Sequence, residues 1–253
     1  MHLNSTKKTL LLALLLTAGL SQTSIAQKDV NPGQDGKNLV KWNVGALLLK
    51  NFSFQYERAI SRKISVAGGL RFAPKSNLPF KSGLENAIDD DDTWESIKDF
   101  KTGNFAITPE IRFYMGKNVF QGFYIAPFVR YAQYSAEVPY KYDIDGMTDE
   151  IPLSGNVNSI TGGLLFGAQW KLGKQIHLDW WILGPNYGST SGSISGQKTL
   201  SAQEQEVLRE DLKDLEDLPL VDTKSTVDGN GVKVDFDGPW AGLRAGLCIG
   251  FRF

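Results

Sequence analysis

The fold is decided by the stretch from Ala241 to Phe253, which reads Ala-Gly-Leu-Arg-Ala-Gly-Leu-Cys-Ile-Gly-Phe-Arg-Phe. Every odd-numbered position in this stretch is apolar, and every even-numbered position is glycine, arginine or cysteine. Because successive side chains of a β-strand point to opposite faces, the alternation predicts a strand with one oily face and one small or charged face.

The same alternation recurs along the chain and predicts eight strands. Most of them have about 9–11 residues, the length that a tilted strand needs to cross a bilayer. The candidate strands are Val40–Leu49, Phe52–Ile60, Ile64–Ala73, Phe105–Met115, Phe123–Ala136, Ser159–Leu172, Ile176–Leu183 and Trp240–Phe253. Short connections alternate with long ones, of which the longest are Pro74–Asn104, Glu137–Asn158 and Gly184–Pro239.

The direction of the oily faces decides between two kinds of barrel. A soluble lipocalin-like barrel has the same period with its oily side chains inward. Three features favour oily side chains outward: glycines such as Gly163 and Gly167 crowd the polar faces, aromatic residues lie near both ends of the apolar faces, and short turns alternate with long loops. The sequence therefore predicts an all-β fold, an eight-stranded antiparallel transmembrane β-barrel with long outer loops.

The beginning of the chain has the pattern of a secretory signal peptide. Lys7 and Lys8 precede an apolar run from Thr9 to Leu20, and Ser24-Ile25-Ala26 offers small residues for cleavage. The expected segments are a signal peptide in 1–26, a periplasmic N-terminal segment in 27–38 and an outer-membrane β-barrel in 39–253. An even number of strands puts both termini in the periplasm, so we expect the protein in a bacterial outer membrane.

The chain resembles the small OmpA/OmpX-like outer-membrane barrels. More narrowly, it resembles a domain-of-unknown-function family of eight-stranded barrels from Gram-negative bacteria. The resemblance is carried by the terminal strand and by Tyr56-Glu57-Arg58, Thr108–Tyr114, Leu178–Trp181 and Pro185–Gly188. It implies no activity, and it implies that Phe251 and Phe253 are the signal by which the outer-membrane barrel assembly machinery recognises the protein.

With the oily faces outward, the polar faces bring charged residues into a lumen too narrow for a water channel. Charges buried there must be paired and hydrogen-bonded, so we expect a structural network of ion pairs near the periplasmic end. The residues expected in this network are Glu57, Glu110, Arg112, Asp179 and Arg252, with Lys41 and Lys171 as further partners. The alternative is a gated pore whose ion pairs rearrange.

Nearer the outer end, the sequence offers Arg71, Arg130 and Arg244 no carboxylate from the barrel wall. The simpler interpretation is that acidic outer loops or water compensate them. The alternative hypothesis is an anion-accepting vestibule for a lipid phosphate or an acidic loop, because the planar guanidinium fits both groups.

The outer loops carry two acidic features. Asp89–Asp92 is interpreted as a solvated acidic run, with calcium binding as the alternative. Neither this run nor Asp143–Gly146 matches the spacing of an EF-hand, so the signal for calcium is weak and no metal site is predicted. Ser201–Leu218 is predicted to be a short amphipathic helix, because a capping box precedes leucines at helical spacing. Gly188–Gly196 is expected to be a flexible approach to it.

The composition limits the function. A net charge of −1 argues against nucleic-acid binding, and the lone Cys248 cannot form an intrachain disulfide. The one histidine beyond the signal peptide, His177, has Asp179 as its neighbour on the same face, but no serine is placed against the pair. We therefore predict no catalytic residue, no cofactor and no enzyme.

The expected role is that of a non-enzymatic outer-membrane component, structural or acting through its outer loops. Its expected partners are outer-membrane lipid, lipopolysaccharide and a surface protein of unknown identity. The alternatives are a narrow passive porin-like channel and, less favoured by the residues, an outer-membrane hydrolase.

Overall fold

Eight antiparallel strands pair edge to edge and close into a barrel. The computed structural model describes residues 36–80, 98–216 and 222–253, so the expected signal peptide and most of the expected N-terminal segment lie outside the described residues. The elements in chain order are β1 (Asn38–Asn43), a 3₁₀ helix (Gly45–Leu49), β2 (Phe52–Ala59), β3 (Ile64–Asn77), β4 (Lys101–Tyr114), β5 (Gly122–Ile144), β6 (Met147–Lys171), β7 (Ile176–Gln197), α1 (Ala202–Glu216), β8 (Asp222–Asp228) and β9 (Gly231–Arg252). The barrel runs from β1 to β7 in sequence order, and β9 pairs with both β7 and β1.

The predicted terminal strand closes the ring. Leu39 lies opposite Arg252 and Asn43 lies opposite Cys248, and Asn38 and Phe253 exchange two backbone hydrogen bonds of 2.9 Å. Each of the eight barrel strands therefore has two paired neighbours, which confirms the predicted fold class. We call the end of the barrel that holds Asn38 and the short turns the turn end, and the opposite end the loop end.

The apolar faces point outward, as predicted. Phe52 lies opposite Phe72, and Phe72 lies opposite Phe105, so three aromatic side chains form one exterior level near the loop end. Phe113 is 45% exposed on the outside, whereas the neighbouring Arg112 is fully buried inside. The barrel thus inverts the arrangement of a soluble protein, with polar groups in the middle and hydrocarbon on the surface.

The first strand is shorter than the predicted Val40–Leu49, which is wrong beyond Asn43. The chain turns there into the 3₁₀ helix, and the Asn43 side-chain oxygen accepts a hydrogen bond from the Ala46 amide at 3.1 Å. Lys50 then takes a left-handed conformation with φ 54° and directs the chain into β2. The run of leucines continues the apolar pattern without continuing the strand, which is why alternation placed the boundary too late.

Much of two predicted loops is strand. Glu137–Asn158 forms the distal half of a β5–β6 hairpin, closed by Asp145 and Gly146, which both have positive φ as a two-residue type I′ turn requires. Most of Gly184–Pro239 belongs to β7, α1, β8 and β9. The sheet thus continues past the barrel at the loop end, and β8 joins it as a ninth strand beside β9.

The expectation of a flexible segment at Gly188–Gly196 is wrong, because these residues lie within β7. A methyl group at Gly192 would lie 2.8 Å from the Val157 Cα atom, and one at Gly196 would lie 2.8 Å from the Pro152 carbonyl oxygen. The glycines therefore mark a close approach of β7 to β6 rather than mobility.

The helix predicted at Ser201–Leu218 is confirmed as α1. Its capping box is formed: the Ser201 amide donates to Glu204 Oε2 at 2.7 Å, and the Glu204 amide donates to Ser201 Oγ at 3.2 Å. Leu208 and Leu212 are buried in a second apolar cluster outside the barrel, with Tyr142, Ile151, Leu200, Val227, Val232 and Val234. Among the described residues, no helix has the length and apolarity to span a bilayer.

We expect Gly167→Ala to destabilise the barrel, because Gly167 lies opposite Tyr124 on β5 and a methyl group there would overlap the Tyr124 hydroxyl. Overpacking of this kind costs about 1–3 kcal/mol. The free energy of unfolding, measured by denaturant titration in detergent, tests this. Gly68→Ala is the matched control, since a methyl group there meets no atom within 4 Å. Equal stability of the two variants would contradict the prediction.

Candidate functional site

The interior of the barrel has three levels. The turn end is filled by aromatic side chains, the middle by charged side chains, and the loop end holds a cavity. The fully buried side chains of the middle level include Lys41, Glu57, Arg112, Gln169 and Asp179. We treat the middle and loop-end levels as the candidate site, because they gather the buried charges of the described chain.

Arg112 is the centre of the middle level. Its Nε atom donates to Glu110 Oε1 at 2.5 Å, its Nη1 atom to Asp179 Oδ2 at 2.6 Å, and its Nη2 atom to Gln55 Oε1 at 2.8 Å. Its Nη1 atom also lies 3.3 Å from Glu57 Oε2. One guanidinium thus bridges β2, β4 and β7 through charge-assisted hydrogen bonds.

Lys41 is the second cation of this level. Its ammonium group donates to Glu57 and, at 2.6 Å, to Asp179 Oδ2. The remaining oxygens are also occupied: Tyr124 donates to Asp179 Oδ1 at 2.7 Å, and the Tyr114 hydroxyl lies 2.6 Å from Glu57 Oε1. Both carboxylates are therefore fully hydrogen-bonded without water, as buried charges require.

Arg244 completes the charge balance, and the prediction that it lacks a carboxylate is wrong. Its Nη1 atom is ion-paired with Glu110 Oε2, and its guanidinium carbon lies 4.1 Å from the Trp181 ring centre. Strand stagger brings Arg244 nearer to Glu110 than sequence position suggests. The network of Lys41, Arg112 and Arg244 with Glu57, Glu110 and Asp179 has three cations and three carboxylates, so it is formally neutral.

The turn end is closed by an inserted turn between β4 and β5. Phe120, with a positive φ of 66°, is fully buried and packs edge-on against Tyr114 and His177. Arg252, expected in the ion-pair network, lies at this level: its guanidinium is 5.0 Å from the Phe120 ring centre, and its Nε atom donates to the Gly36 carbonyl at 2.7 Å.

The structure does not join His177 to Asp179. The two nitrogens of His177 have no hydrogen-bond partner among the described residues, and the ring is fully buried. Asp179 accepts hydrogen bonds from Lys41, Arg112, Tyr124 and Trp181 instead. The geometry therefore provides no His–Asp pair that would activate a nucleophile.

The loop-end level holds a cavity of about 380 Å³, lined by Arg71, Arg130 and Arg244, by smaller polar side chains and by apolar ones that include Leu49 and Trp181. Arg71 donates its Nε–H to Asn104 Oδ1 at 3.0 Å. The cavity also borders the 3₁₀ helix, which lies at the loop end. Thus the three predicted arginines do surround one space, although Arg244 also belongs to the ion-pair network.

The sheet beyond the barrel has its own polar contacts. The Lys198 ammonium contacts Asp149 at 2.5 Å, and its hydrogen bond holds the pKa of Asp149 below the ordinary value. The backbone N–H of Ser201 lowers the pKa of Glu204 in the same way. Asp145 accepts a hydrogen bond from Gln203 at 2.9 Å, so the hairpin turn contacts α1. Asp89–Asp92 lies outside the described residues, and within the described residues no three His, Cys, Asp or Glu side chains converge as around a metal.

Sequence reasoning missed the neutral members of the network. Gln55, Tyr114, Tyr124, Gln169 and Trp181 all donate to or accept from the buried charges. Parity was the available signal for Gln55, which lies two residues from Glu57 on the same strand face.

We expect Lys41→Met to lower the free energy of unfolding by about 3–5 kcal/mol, because Glu57 and Asp179 would share fewer cations in a buried site. Lys41→Met combined with Glu57→Gln keeps the network neutral and should recover part of this loss. Denaturant titration of the barrel in detergent measures both variants. Equal destabilisation by the single and double substitutions would show that packing, not charge balance, sets the cost.

Comparison with known proteins gives one family and two distant structural likenesses. A family described as "Protein of unknown function (DUF3575)" matches residues 10–189, and the search of curated proteins finds no match. Among solved structures, the chain is similar to the translocator domain of the autotransporter NalP from Neisseria meningitidis, with 12% identity, 98% of each chain covered and a TM-score of 0.38. It is also similar to the N-terminal beta-barrel domain of Pseudomonas aeruginosa OprF, with 7% identity, 87% of this chain and 100% of that chain covered, and a TM-score of 0.25.

Proposed function

The chain belongs to the DUF3575 family of proteins of unknown function, and we propose that it is a non-enzymatic barrel of the bacterial outer membrane. In this proposal the barrel is anchored by its apolar exterior, carries no current, and acts through the sheet and helix at its loop end. The loop end is then extracellular, and the turn end with both termini is periplasmic.

One observation carries the membrane assignment: the barrel wall is apolar on the outside and charged on the inside. Large hydrophobic side chains such as Leu70, Ile107 and Leu247 are each more than two-fifths exposed. In water, such a surface would aggregate, whereas in hydrocarbon it is solvated. A closed ring also leaves no strand edge unpaired in the bilayer, where an unpaired backbone group is costly.

The packing of the middle level supports a role other than transport. Arg112, Lys41 and Tyr124 are each fully buried, and each is hydrogen-bonded to Asp179 on β7, a strand that is not the neighbour of their own strands. Opening a path would separate buried ion pairs, which costs several kcal/mol for each uncompensated charge. The narrow passive channel therefore remains the less favoured alternative.

The sheet beyond the barrel supports a role in surface contacts. The β5–β6 hairpin, β7, β9 and β8 continue as one sheet, and the leucines of α1 are used to pack on it. The outward face of α1 presents Glu206, Glu210 and Asp211, so the helix offers carboxylates rather than an apolar groove. We propose that this region contacts lipopolysaccharide or a surface protein.

We also propose that the terminal strand is recognised by the outer-membrane barrel assembly machinery, and that the chain is related to the small OmpA/OmpX-like barrels. Phe251 and Phe253 point outward at the turn end, as expected of residues read by the outer-membrane barrel assembly machinery. A small lumen filled by side chains and eight strands with long excursions at one end are also expected of the OmpA/OmpX-like barrels that the sequence resembles.

Cysteine labelling tests the orientation. Cys248 is buried, so added cysteines should dominate the signal. In intact Gram-negative cells, a membrane-impermeant maleimide should label Glu210→Cys on α1, because the loop end faces outward. Lys174→Cys is the matched control, in the exposed turn between β6 and β7. Because the proposal places this turn in the periplasm, it should react only after the outer membrane is permeabilised. The reverse pattern, or labelling of neither site in any fraction, would overturn the proposed placement.

Planar-bilayer recording tests the absence of transport. We expect no stepwise conductance after insertion, because side chains fill the lumen at the level of Arg112. Insertion is verified by fluorescence of the labelled Glu210→Cys protein, so that silence is not mistaken for failed insertion. Reproducible conductance steps would instead favour the narrow passive channel.

A further inference from the structure

We propose that the loop-end cavity is an oxyanion site, in which the Nε–H and Nη2–H groups of Arg130 bind two oxygens of a carboxylate or phosphate. This site lies in the lumen and is independent of the surface role proposed for the sheet and helix at the loop end.

Arg130 is a buried cation with unused donors. It is 9% exposed, and its Nε and Nη2 atoms have no hydrogen-bond partner among the described residues. These two N–H groups lie on the same edge of the guanidinium and point in parallel, which is the geometry that grips two oxygens of one carboxylate or phosphate. An unpaired buried donor on a charged group costs several kcal/mol, so this edge favours an acceptor supplied from outside.

The charge balance of the interior identifies which cations remain. Because Arg244 neutralises Glu110 together with Arg112, the ion-pair network has no carboxylate left to offer. Arg71 and Arg130 therefore remain as two cations above a neutral network. Arg71 donates a hydrogen bond to Asn104, an uncharged acceptor. Two cations without a carboxylate among the described residues create a positive potential in a low-dielectric wall, and this potential attracts an anion.

The strand register places the two arginines around one space. Arg71 lies opposite Ala106 on β4, and the next inward residue of β4, Thr108, lies opposite Gly69. These small side chains leave room between β3 and β5, where Arg130 projects. Arg71, Arg130 and Thr108 all line the cavity, whose volume of about 380 Å³ is more than ten times the roughly 30 Å³ that a water molecule occupies in the liquid.

A second unpaired polar atom lies beside Arg130. Thr161 on β6 is directly opposite Arg130, and its buried Oγ1 has no hydrogen-bond partner among the described residues. The hydroxyl can donate to an oxyanion or to a water that the anion holds. Two side chains paired across neighbouring strands thus have unused donors, and one of them, Arg130, lines the cavity, which indicates a built site rather than an isolated defect in packing.

The route of access indicates the side from which the anion comes. The turn end is filled by Phe120, and the middle level by the ion-pair network, so the cavity is reached from the loop end. Two sources supply the same chemistry there: a free carboxylate or phosphate, and the phosphate of a lipid headgroup at the membrane surface. The guanidinium edge of Arg130 binds a free anion and a lipid phosphate in the same way, so the experiment tests each source separately.

The test uses the full chain in a zwitterionic detergent and isothermal titration calorimetry at constant ionic strength. Inorganic phosphate and acetate are the probes for a free anion, and chloride is the reference. The lipid arm places the protein in phosphatidylcholine nanodiscs with and without lipid A and measures thermal unfolding. We expect phosphate or lipid A to bind the unaltered protein, and Arg130→Gln to weaken that binding about tenfold or more.

Two further variants keep the result interpretable. Arg62→Gln removes the same charge from an exposed turn and should leave binding unchanged. Arg130→Lys keeps the charge but loses the parallel pair of donors, so it should also weaken binding, and it serves if the Gln variant does not fold. An effect of Arg62→Gln equal to that of Arg130→Gln, full affinity in Arg130→Lys, or no binding of phosphate, acetate or lipid A would overturn the proposal.

Discussion

The buried guanidinium of Arg112 constrains the barrel around it. An apolar exterior leaves the lumen as the one place where the wall can put polar groups, and the middle level of this lumen is filled by side chains that leave no room for solvating water. The charges of the middle level must therefore be neutralised by one another. The network that results joins β1 through Lys41, β2 through Glu57, β7 through Asp179 and β9 through Arg244 to the two charges of β4. It holds distant strands in register, a task that neighbouring backbone hydrogen bonds do not perform.

The same constraint separates the molecule into two parts, one stabilised by buried ion pairs and the other by apolar packing. Inside the barrel, specificity comes from charge matching in a polar core. Beyond it, the extended sheet and α1 enclose an ordinary apolar cluster with Leu208 and Leu212 at its centre. The outer part can therefore vary in its surface without disturbing the network, because the two buried clusters have no residue in common. This independence suits a barrel that anchors and an appended sheet that makes contacts.

Alternation of residues predicted the eight barrel strands, because a period of two is imposed by strand geometry itself. The outward direction of the oily faces was predicted from the glycines of the polar faces, the aromatic residues near both ends and the unequal loops. Alternation failed where another interaction ended or extended a strand. β1 stops at Asn43, whose side-chain oxygen accepts from the Ala46 amide of a 3₁₀ helix, and the leucines of that helix continue the apolar pattern. Gly192 and Gly196 continue β7, although glycine and serine suggested a flexible segment. The odd or even position of each residue along its strand also placed Glu57, Glu110, Arg112 and Asp179 in the lumen, but it did not give their positions along the barrel axis. The pairing of Arg244 with Glu110 follows from strand stagger, which no single strand encodes.

That pairing changes the meaning of the remaining arginines. If Arg244 had no carboxylate, the loop end would hold three unpaired cations, and water at the open end of the barrel could solvate this excess of positive charge. With Arg244 matched to Glu110, the excess is confined to Arg71 and Arg130, and Arg130 is buried with its paired donors unused. Water in the cavity can accept from these donors but carries no charge, whereas an anion accepts from both and also neutralises the positive potential. Because the middle level is neutral, the uncompensated positive charge of the interior is confined to the loop-end level. There it directs an anion to the Nε and Nη2 edge of Arg130.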